Sequence, residues 1–327
     1  MKKIKVGVVG GAGYTGGELI RLLINHPHVE ISFVQSRSNT SNFIYEVHTD
    51  LLGETDLKFC ASPTQEIEVL FLCLAHGAST QFLNENKINN AIKIIDLSQD
   101  FRTNTQHREE QRDFVYGLPE LNRQEITTAH HIANPGCFAT TIQLALLPLA
   151  AAQMLNNEVH VTATTGSTGA GQALVETSQF SWRTNNLSFY KAFDHQHLAE
   201  IRQSLTQLQP NFHQAINFIP HRGNFARGIF ATCYVESKLS ITEAIILYEN
   251  YYQNHPFVFI SKNNIDLKQV VNTNKCFLYL EKHGHNLLIA CAIDNLLKGA
   301  SGQAVQNMNL LFGLEETTGL KLKAVAF

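Results

Sequence analysis

The beginning of the chain constrains its fold most strongly, because a strand pattern, a glycine-rich turn and an amphipathic helix follow one another without a break. Ile4–Val9 form the apolar strand pattern. Two glycine spacings fit the turn that follows, one through Gly11, Gly13 and Gly16 and the other through Gly10, Gly13 and Gly16. Such glycines allow a tight turn and bring peptide N–H groups close to a pyrophosphate at the helix N-terminus. We therefore predict a dinucleotide-binding domain, with a glycine turn that holds no ligand as the weaker alternative.

The second predicted strand, Glu30–Val34, indicates which dinucleotide binds. Folds that bind NAD usually place a carboxylate near the end of this strand, where it accepts a hydrogen bond from a ribose hydroxyl. In this chain the strand is followed by Ser36, Arg37 and Ser38. A guanidinium between two hydroxyls suits the 2′-phosphate of NADP, so we predict that these three residues bind NADP. The alternative is a loop arginine that contacts only solvent.

Two further strands are predicted, at Val69–Ala75 and Ile92–Leu97, with a short helix between them. This alternation of strands and helices predicts a parallel sheet with helices on both faces. Polar residues follow the later strand at its C-terminal end, which is where open α/β sheets bind ligands. Among them, Arg102 can hold a phosphate through two parallel hydrogen bonds or form an ion pair with Asp100 or another acid of the loop, and both alternatives stay open.

The cysteine at position 137 stands at the start of a predicted helix, Phe138–Ala152, directly after Asn134, Pro135 and Gly136. The peptide N–H groups and the dipole of a helix N-terminus favour an anion, so the Cys137 thiol is expected to lose its proton more readily. The thiolate is the nucleophilic form of cysteine. A nucleophilic cysteine in a chain that also binds a nicotinamide dinucleotide predicts redox chemistry on an acyl group through a thioester.

Two histidines and a glutamate provide candidates for acid–base catalysis. After a predicted strand at Val159–Thr165 and a second glycine loop, the chain reaches His195, His197 and Glu200. If a helix begins near His197, that side chain and Glu200 lie on one face, as an imidazole base and an orienting carboxylate would. His195 could exchange roles with His197, and a structural role is the alternative for either histidine. The pair also resembles half of a zinc site, but no third ligand is evident, so no metal is predicted.

A loop that contains arginine and glycine precedes the next predicted strand, Ile229–Val235. Arg222 and Arg227 lie in this loop, where they could bind the carboxylates of an acidic substrate or simply contact solvent. A strand at Leu287–Ile293 and a helix at Gln303–Phe312 complete the pattern, and a glycine suited to a C-cap follows the helix.

The composition restricts compartment and partners. With 327 residues, of which 44% are hydrophobic, the chain is long enough for two domains that each have a core. A formal net charge of −3 gives no electrostatic basis for binding nucleic acid or an anionic membrane, and no apolar run is long enough to cross a bilayer. The N-terminus is not typical of a signal peptide, so the six scattered cysteines are expected to be reduced thiols of a cytoplasmic protein.

Five motifs in order resemble those of one family, and the similarity runs almost from end to end. The motifs are Gly13-Tyr14-Thr15-Gly16-Gly17-Glu18-Leu19, Asp96-Leu97-Ser98-Gln99-Asp100-Phe101-Arg102, Tyr116-Gly117-Leu118-Pro119-Glu120, Asn134-Pro135-Gly136-Cys137 and Lys298-Gly299-Ala300-Ser301-Gly302-Gln303-Ala304. With them the chain resembles the N-acetyl-gamma-glutamyl-phosphate reductases, which belong to the group similar to aspartate-semialdehyde dehydrogenase.

The resemblance implies an α/β fold with a Rossmann-type NADP domain, residues 1–136 and 298–327. An inserted α+β catalytic and dimerisation domain of the semialdehyde dehydrogenase type would span 137–297. The implied activity is NADP-dependent reduction of N-acetyl-gamma-glutamyl phosphate to the 5-semialdehyde, with release of phosphate, in arginine biosynthesis. A homo-oligomer, either a dimer or a tetramer, is expected on the same ground.

The patterns and the resemblance together assign roles to individual residues. The expected catalytic residues are Cys137 as nucleophile, His197 as acid and base, His195 and Glu200. The expected substrate-binding residues are Arg102, Asn134, His221, Arg222 and Arg227. The expected cofactor-binding residues are Gly10, Gly13, Tyr14, Thr15, Gly16, Ser36, Arg37, Ser38, Gly169 and Asn295, of which Asn295 is implied to lie near the nicotinamide.

Three positions depart from the family pattern. Gln172 ends the second glycine loop where an arginine is usual, and Ala199 stands where a proline is usual. Arg222–Phe225 replace apolar residues and a proline. An extra arginine near the substrate could pair with an extra carboxylate, as an N-succinyl group supplies, so the acyl group of the substrate stays open.

Three other functions remain as alternatives. A sister semialdehyde dehydrogenase would perform the same chemistry on a different acyl phosphate. A non-catalytic NADP-binding sensor would have no need for Cys137, His197 and Glu200 together. A cysteine hydrolase would leave the nucleotide-binding loop unexplained.

Overall fold

The computed structural model describes residues 2–63, 66–103, 108–109 and 112–326. Its strands are β1 (Ile4–Val9), β2 (Val29–Gln35), β3 (Phe59–Cys60), β4 (Val69–Leu72), β5 (Lys93–Asp96), β6 (Arg108–Glu109), β7 (Arg112–Tyr116), β8 (His131–Ala133), β9 (Val159–Thr165), β10 (Ser188–Phe189), β11 (Ile216–Arg222), β12 (Ile229–Glu236), β13 (Val258–Ile260), β14 (Cys276–His283) and β15 (Asn286–Ile293). Its α-helices are α1 (Tyr14–Ile24), α2 (Ala78–Glu85), α3 (Pro119–Thr128), α4 (Cys137–Ala151), α5 (Phe180–Arg183), α6 (His197–Leu208), α7 (Ile241–Tyr252) and α8 (Gly302–Leu311). Among these described helices, none combines the length and the apolar character that a membrane span requires.

The chain divides into two compact units. One comprises Met1–Pro135 and Ala300–Lys321, and the other comprises Gly136–Gly299 and Leu322–Phe327. The domain boundaries expected from the sequence, at 136/137 and 297/298, differ from this division by one and two residues. The larger difference is at the C-terminus, where the residues after 321 lie with the second unit and not with the first.

Hydrogen bonds explain where the C-terminal segment lies. The N–H of Val325 donates to the carbonyl of Val271 (3.4 Å), and the side-chain amide of Asn272 donates to the carbonyl of Lys323 (3.4 Å). The Val271 carbonyl and the Asn272 side chain both belong to the loop between β13 and β14. The segment is therefore held by contacts that no local pattern in the sequence encodes.

The first unit contains the parallel sheet that the sequence predicts. Its strand order is β3-β2-β1-β4-β5-β8-β7-β6, and among the described strands only the β6–β7 pair is antiparallel. The order reverses beside β1, which is the arrangement of dinucleotide-binding folds. β1 has the predicted bounds, whereas β4 and β5 are shorter than predicted and end at Leu72 and Asp96. The residues after Leu72 leave the sheet and form a loop.

The second unit is built on a mixed sheet with the strand order β10-β11-β9-β12-β15-β14-β13. Burial alternates along β9, β12 and β14, so one face of the sheet is buried and the other is partly exposed. Helix α4 is apolar on all sides, and its residues from Phe138 to Ala150 are buried. Because α4 contacts β12, β15 and α6, the core of this unit lies around α4.

A proline inside α4 is compensated by a neighbouring helix. Pro148 has no N–H to donate to the carbonyl of Leu144, which lies one turn earlier. The hydroxyl of Tyr252, at the end of α7, donates to that carbonyl at 2.6 Å. The hydroxyl of Tyr248 donates to the next carbonyl, that of Ala145, also at 2.6 Å. Helix α7 therefore supplies the hydrogen bond that the proline removes, and α4 continues to Ala151.

Candidate active site

A cavity of about 410 Å³ lies in the first unit, at the carboxyl ends of β1, β2 and β4. Five of the residues predicted to bind the cofactor line it, namely Gly10, Gly13, Ser36, Arg37 and Ser38. Tyr14, Thr15 and Gly16 form the first turn of α1. The N–H groups of a first helical turn have no partner within the helix, so this turn can donate to a bound anion. The structure thus brings the predicted cofactor residues of this unit to one place.

The glycines of the first turn are constrained to different degrees. Gly10 has φ of +78°, a conformation that side chains rarely tolerate. A Cβ at Gly16 would lie 2.6 Å from the carbonyl oxygen of Gly10, so only glycine fits there. A Cβ at Gly13 would meet nothing closer than 3.7 Å, and this open side belongs to the cavity. A Cβ at Gly11 would clash with Cγ1 of Val34, so Gly11 is constrained as well and the turn accommodates both glycine spacings.

Arg37 has a carboxylate partner in the cavity that the sequence did not reveal. Its Nη2 lies 3.3 Å from Oε2 of Glu85, and Gln81 Nε2 donates to Oε1 of the same carboxylate at 2.6 Å. The hydrogen bonds from Gln81 and Arg37 hold the pKa of Glu85 below its usual value. Glu85 of α2 thus faces Arg37, whose side chain is 72% exposed. No local pattern indicates a contact between residues so far apart in the chain.

Arg102 is buried and holds the backbone of the segment before Cys137. Its Nε donates to the carbonyl of Asn134 (2.8 Å) and its Nη2 to the carbonyl of Leu97 (2.8 Å). Asp100, the partner considered from the sequence, instead accepts hydrogen bonds from two backbone N–H groups at the start of α2. Asn134 is also buried, and its side-chain amide donates to the carbonyl of Ala300 at 3.1 Å. Phosphate binding by Arg102 and substrate binding by Asn134 stay predictions.

Cys137 is the first residue of α4 and is partly exposed to solvent. The helix begins one residue earlier than predicted, because Gly136 is extended (φ −71°, ψ 150°) and acts as the N-cap. The thiol therefore lies at the positive end of a helix 15 residues long, where an anionic sulfur is stabilised.

His197 and Glu200 lie beside this cysteine within the second unit. Helix α6 begins at His197, as the predicted shared face requires, and Nε2 of His197 is 3.9 Å from Oε1 of Glu200. The other carboxylate oxygen, Oε2, accepts a hydrogen bond from the N–H of Gly136 at 2.9 Å. A Cβ at Gly136 would lie 2.3 Å from Nε2 of His197, so the imidazole packs directly on the residue before Cys137. All three predicted groups are therefore together, and the imidazole and the carboxylate are both buried.

Gly299 packs against the cysteine from another side. It lies in a π-helical turn, Leu297–Ser301, and a Cβ there would be 2.8 Å from Cβ of Cys137. Two positions without side chains, Gly136 and Gly299, therefore leave room for the imidazole and for the cysteine side chain. Each glycine belongs to one of the sequence motifs, but only the structure shows which side chain packs against it.

His195 occupies an aromatic environment. Its ring contacts those of Phe138, Tyr190 and Phe218, with centroids 5.4, 5.9 and 5.5 Å away. Burial, and to a smaller extent the charge of Lys191, lowers the pKa of His195 to about 4. Its Nδ1 accepts a hydrogen bond from the N–H of His197 (3.2 Å). His195 is thus a neutral acceptor that positions the start of α6, which favours His197 as the acid and base.

The two arginines predicted to share a loop differ in position and environment, because Arg222 is the last residue of β11 and only Arg227 lies in the loop after it. Arg227 forms an ion pair with Asp294, whose carboxylate is fully buried, at 3.0 Å. Arg222 instead lies 4.5 Å from the ring centroid of Tyr190 and donates to Oγ1 of Thr177 at 2.7 Å. His221, the preceding residue, faces Phe189 at 6.5 Å between ring centroids. The structure therefore does not group Arg227 with Arg222, although substrate binding by all three predicted residues stays a prediction.

Asn295 connects two loops of the second unit. Its Oδ1 accepts from the N–H of Gly228 (2.7 Å), and its Nδ2 donates to Oγ1 of Thr168 (3.0 Å). Gly169 follows Thr168 in a short 3₁₀ turn, Ser167–Ala170. The amide of Asn295 thus fixes the second glycine loop, and cofactor binding by Asn295 and Gly169 stays a prediction.

A further arginine, which no sequence motif indicates, lies next to Arg222. Arg183, the last residue of α5, is only 7% exposed, and its Nη2 donates to the carbonyl of Gly223. Burial lowers the pKa of Arg183, and the nearby charge of Arg222 lowers it further. The stretch between the second glycine loop and His195 has no periodic pattern, so nothing in the sequence singles this residue out.

Known proteins match both units. Residues 5–129 match the family model described as semialdehyde dehydrogenase, NAD binding domain, and residues 137–295 match the one described as semialdehyde dehydrogenase, dimerisation domain. Aspartate semialdehyde dehydrogenase II from Vibrio cholerae has a similar structure, with a TM-score of 0.74 at 16% identity over 95% of this chain and 99% of that one. Aspartate semialdehyde dehydrogenase with NADP from Candida albicans has a TM-score of 0.69 at 12% identity over 95% of this chain and 99% of that one. These similarities confirm the predicted fold class.

The sequence similarity is much higher to another group of enzymes. N-acetyl-gamma-glutamyl-phosphate reductase of Bacteroides thetaiotaomicron is 59% identical over 99% of this chain and 100% of that protein. The matched region covers both units and therefore spans the segment that carries Cys137. The chain is therefore an oxidoreductase that belongs to the N-acetyl-gamma-glutamyl-phosphate reductase family.

Proposed function

We propose that this protein reduces N-acetyl-gamma-glutamyl phosphate to N-acetylglutamate 5-semialdehyde and releases phosphate, a step of arginine biosynthesis. The observation that carries the proposal is the cysteine at the N-terminus of α4 with a buried His–Glu pair packed on the residue before it. The family membership supports the same substrate. A thiol with an acid–base partner suits acyl transfer, and the neighbouring unit has a dinucleotide-binding fold.

Cys137 would attack the acyl carbon of the substrate. A carbon–sulfur bond forms, the bond to the phosphate oxygen breaks, and the phosphate leaves with the electron pair. A covalent thioester divides one difficult displacement into two easier steps. When bound, NADPH supplies the hydride that reduces this acyl group to the aldehyde level. The thiolate then leaves as the carbonyl forms, which regenerates the free enzyme.

His197 would handle the proton in these steps. The imidazole accepts the thiol proton, donates it to the oxyanion left by hydride addition and takes it back as the carbonyl forms and the thiolate leaves, and Glu200 supports the protonated ring from 3.9 Å. The Cys137 N–H, at the start of α4, can support the same oxyanion. His195 serves this arrangement by accepting a hydrogen bond from the His197 N–H, not by moving protons itself.

The cofactor is proposed to be NADP and not NAD. Arg37 between two serines suits a 2′-phosphate, and the open side of Gly13 allows the pyrophosphate to approach the first turn of α1.

We further propose a homo-oligomer, because the second unit matches a dimerisation domain. A cytoplasmic location accords with six cysteines that form no disulfide among the described residues.

The first test follows NADPH formation from NADP and N-acetylglutamate semialdehyde, with and without phosphate or arsenate. Wild-type protein should show activity that depends on the oxyanion, and Cys137→Ser should lose it by at least about a thousandfold. Cys60→Ser is the matched control, because Cys60 is the other cysteine that is not buried. Near-normal turnover by Cys137→Ser would refute the thioester.

The alternative of a non-catalytic NADP sensor is separated by the same proteins. A sensor would bind NADP equally in wild type and Cys137→Ser and would show no oxyanion-dependent turnover in either. Rapid, selective alkylation of Cys137 over Cys60 argues against the sensor, because a binding module does not require a reactive thiol.

A further inference from the structure

Arg183 carries a buried positive charge without a matching anion. Its Nε and Nη1 are buried and have no hydrogen-bond partner, while Nη2 donates to the carbonyl of Gly223. Among the described residues, no carboxylate lies within ion-pair distance of either Arg183 or Arg222. Buried charges in proteins are normally paired, because leaving water is otherwise costly. Two neighbouring guanidinium groups without a carboxylate therefore indicate that an anion is bound there in the working enzyme.

The second arginine connects this charge with the catalytic cysteine. Arg222 lies over the ring of Tyr190, with its guanidinium carbon 4.5 Å from the ring centroid. Burial, and then the negative charge of Cys137, raises the pKa of the Tyr190 hydroxyl to about 12. On its other side, Tyr190 contacts the ring of His195, which in turn contacts His197. The rings of Tyr190 and His195 thus lie between Arg222 and His197.

The charge of the substrate determines what can bind there. An N-acetyl-gamma-glutamyl phosphate carries its phosphate at the carbon that Cys137 attacks and a single carboxylate elsewhere. One carboxylate neutralises one guanidinium and leaves the other uncompensated. Arg227 does not change this count, because Asp294 already neutralises it.

We propose that Arg183 and Arg222 together bind a second carboxylate, so that the preferred N-acyl group is a dicarboxylic one such as N-succinyl. This inference rests on the proposed function and changes only the acyl group. The sequence already suggested that Arg222 pairs with an extra carboxylate of the substrate. The structure adds Arg183 as a second, buried guanidinium beside it. A planar guanidinium pair can hold a carboxylate through several charge-assisted hydrogen bonds.

Binding can be tested without turnover, because the chain has one tryptophan and it is Trp182, next to Arg183. Fluorescence of wild-type protein is followed during titration with N-succinylglutamate, N-acetylglutamate or inorganic phosphate. N-succinylglutamate should bind at least about tenfold more tightly than N-acetylglutamate. Arg222→Gln and Arg183→Gln should each remove that difference, whereas Arg202→Gln, at an exposed arginine of α6, should retain it.

Three results would overturn the inference. Equal binding of the two acyl glutamates by wild type would exclude a site for the second carboxylate. Equal weakening of both ligands in the arginine variants would mean that the pair binds the carboxylate they share. Phosphate binding as tight as that of N-succinylglutamate would indicate a general anion site. Arg222→Gln keeps the test decisive if Arg183→Gln disturbs the loop at Gly223.

Turnover separates this inference from the proposed function. Oxyanion-dependent NADP reduction should be at least about tenfold more efficient with N-succinylglutamate semialdehyde than with the N-acetyl compound, mainly through KM. Turnover of both without preference contradicts the arginine site and leaves the proposed function intact. Preferential binding without turnover of either contradicts the proposed function and leaves the arginine site intact.

Discussion

At the scale of single residues, the site around Cys137 depends on an absent side chain. A Cβ at Gly136 would lie 2.3 Å from Nε2 of His197, so Gly136→Ala must displace the imidazole. We expect kcat to fall about 100-fold or more, since general acid–base catalysis contributes that much. A double-mutant cycle with His197→Ala supplies the control. If Gly136→Ala lowers kcat as strongly in the His197→Ala background, its effect does not pass through His197.

The two histidines are expected to respond differently to substitution. His197→Asn should lower kcat about 100- to 10,000-fold and remove the corresponding limb of the pH–rate profile. His195→Asn should reduce activity far less and leave the profile unchanged, because burial lowers the pKa of His195 to about 4 and keeps the ring neutral. Steady-state rates between about pH 5 and pH 9 provide the measurement. If only His195→Asn alters the pH–rate profile, then His195 is the acid and base and His197 has the positioning role.

Cofactor preference depends on a contact between Arg37 and Glu85. Arg37→Ala should raise KM for NADP about tenfold or more and change KM for NAD little. Glu85→Gln should act in the opposite direction and lower KM for NADP about two- to fivefold, because the carboxylate competes with the 2′-phosphate for an exposed arginine. Glu54→Gln, at an exposed glutamate of the same unit, is the control. A rise of KM for NADP in Glu85→Gln would show that the carboxylate positions Arg37 for the phosphate.

At the scale of elements, the proline in α4 makes the stability of that helix depend on α7. Tyr252→Phe leaves the carbonyl of Leu144 buried without a donor and should lower the free energy of unfolding by about 1–3 kcal/mol. Tyr248→Phe is the matched control, because the carbonyl of Ala145 retains the helical N–H of Leu149. Urea unfolding measures both, and equal losses would mean that the missing donor at Pro148 is unimportant.

Elements with a strong local pattern were predictable, and contacts between distant residues were not. β1 and β9 have the predicted bounds, and α6 begins at the predicted histidine, because periodicity and capping act over a few residues. The glutamate that faces Arg37 is 48 positions away in the chain, and Arg183 meets Arg222 only through the fold. Chemical roles can thus be expected from motifs, whereas charge partners require the structure.

At the scale of the whole molecule, buried histidines should destabilise the protein as the pH falls below about 6.5. Burial lowers the pKa of His195 to about 4 and that of His131 to about 3. Near pH 5 these two histidines therefore bind two protons in the unfolded chain that they do not bind in the folded protein. Asp96 opposes them, since burial raises its pKa to about 6 and the folded protein binds one proton there. For these three groups, the net uptake of about one proton on unfolding lowers stability by about 1.4 kcal/mol per pH unit as the pH falls.

Urea unfolding at several pH values between about 7 and 4.5 measures this dependence. His131→Gln should flatten it, because the unfolded state loses one of the two protonation sites that favour it. Stability that is constant or rises as the pH falls would contradict the assignment of neutral histidines in the folded protein.

The carboxylate of Glu200 receives the peptide N–H of Gly136 with one oxygen and faces His197 with the other. The amide proton of Gly136 is therefore a natural spectroscopic probe of the catalytic pair. Its exchange with solvent should quicken in Glu200→Ala but much less in Glu200→Gln, which retains an acceptor for the N–H. Hydrogen exchange at one backbone position could thus report whether the catalytic carboxylate is in place, without any label on the site.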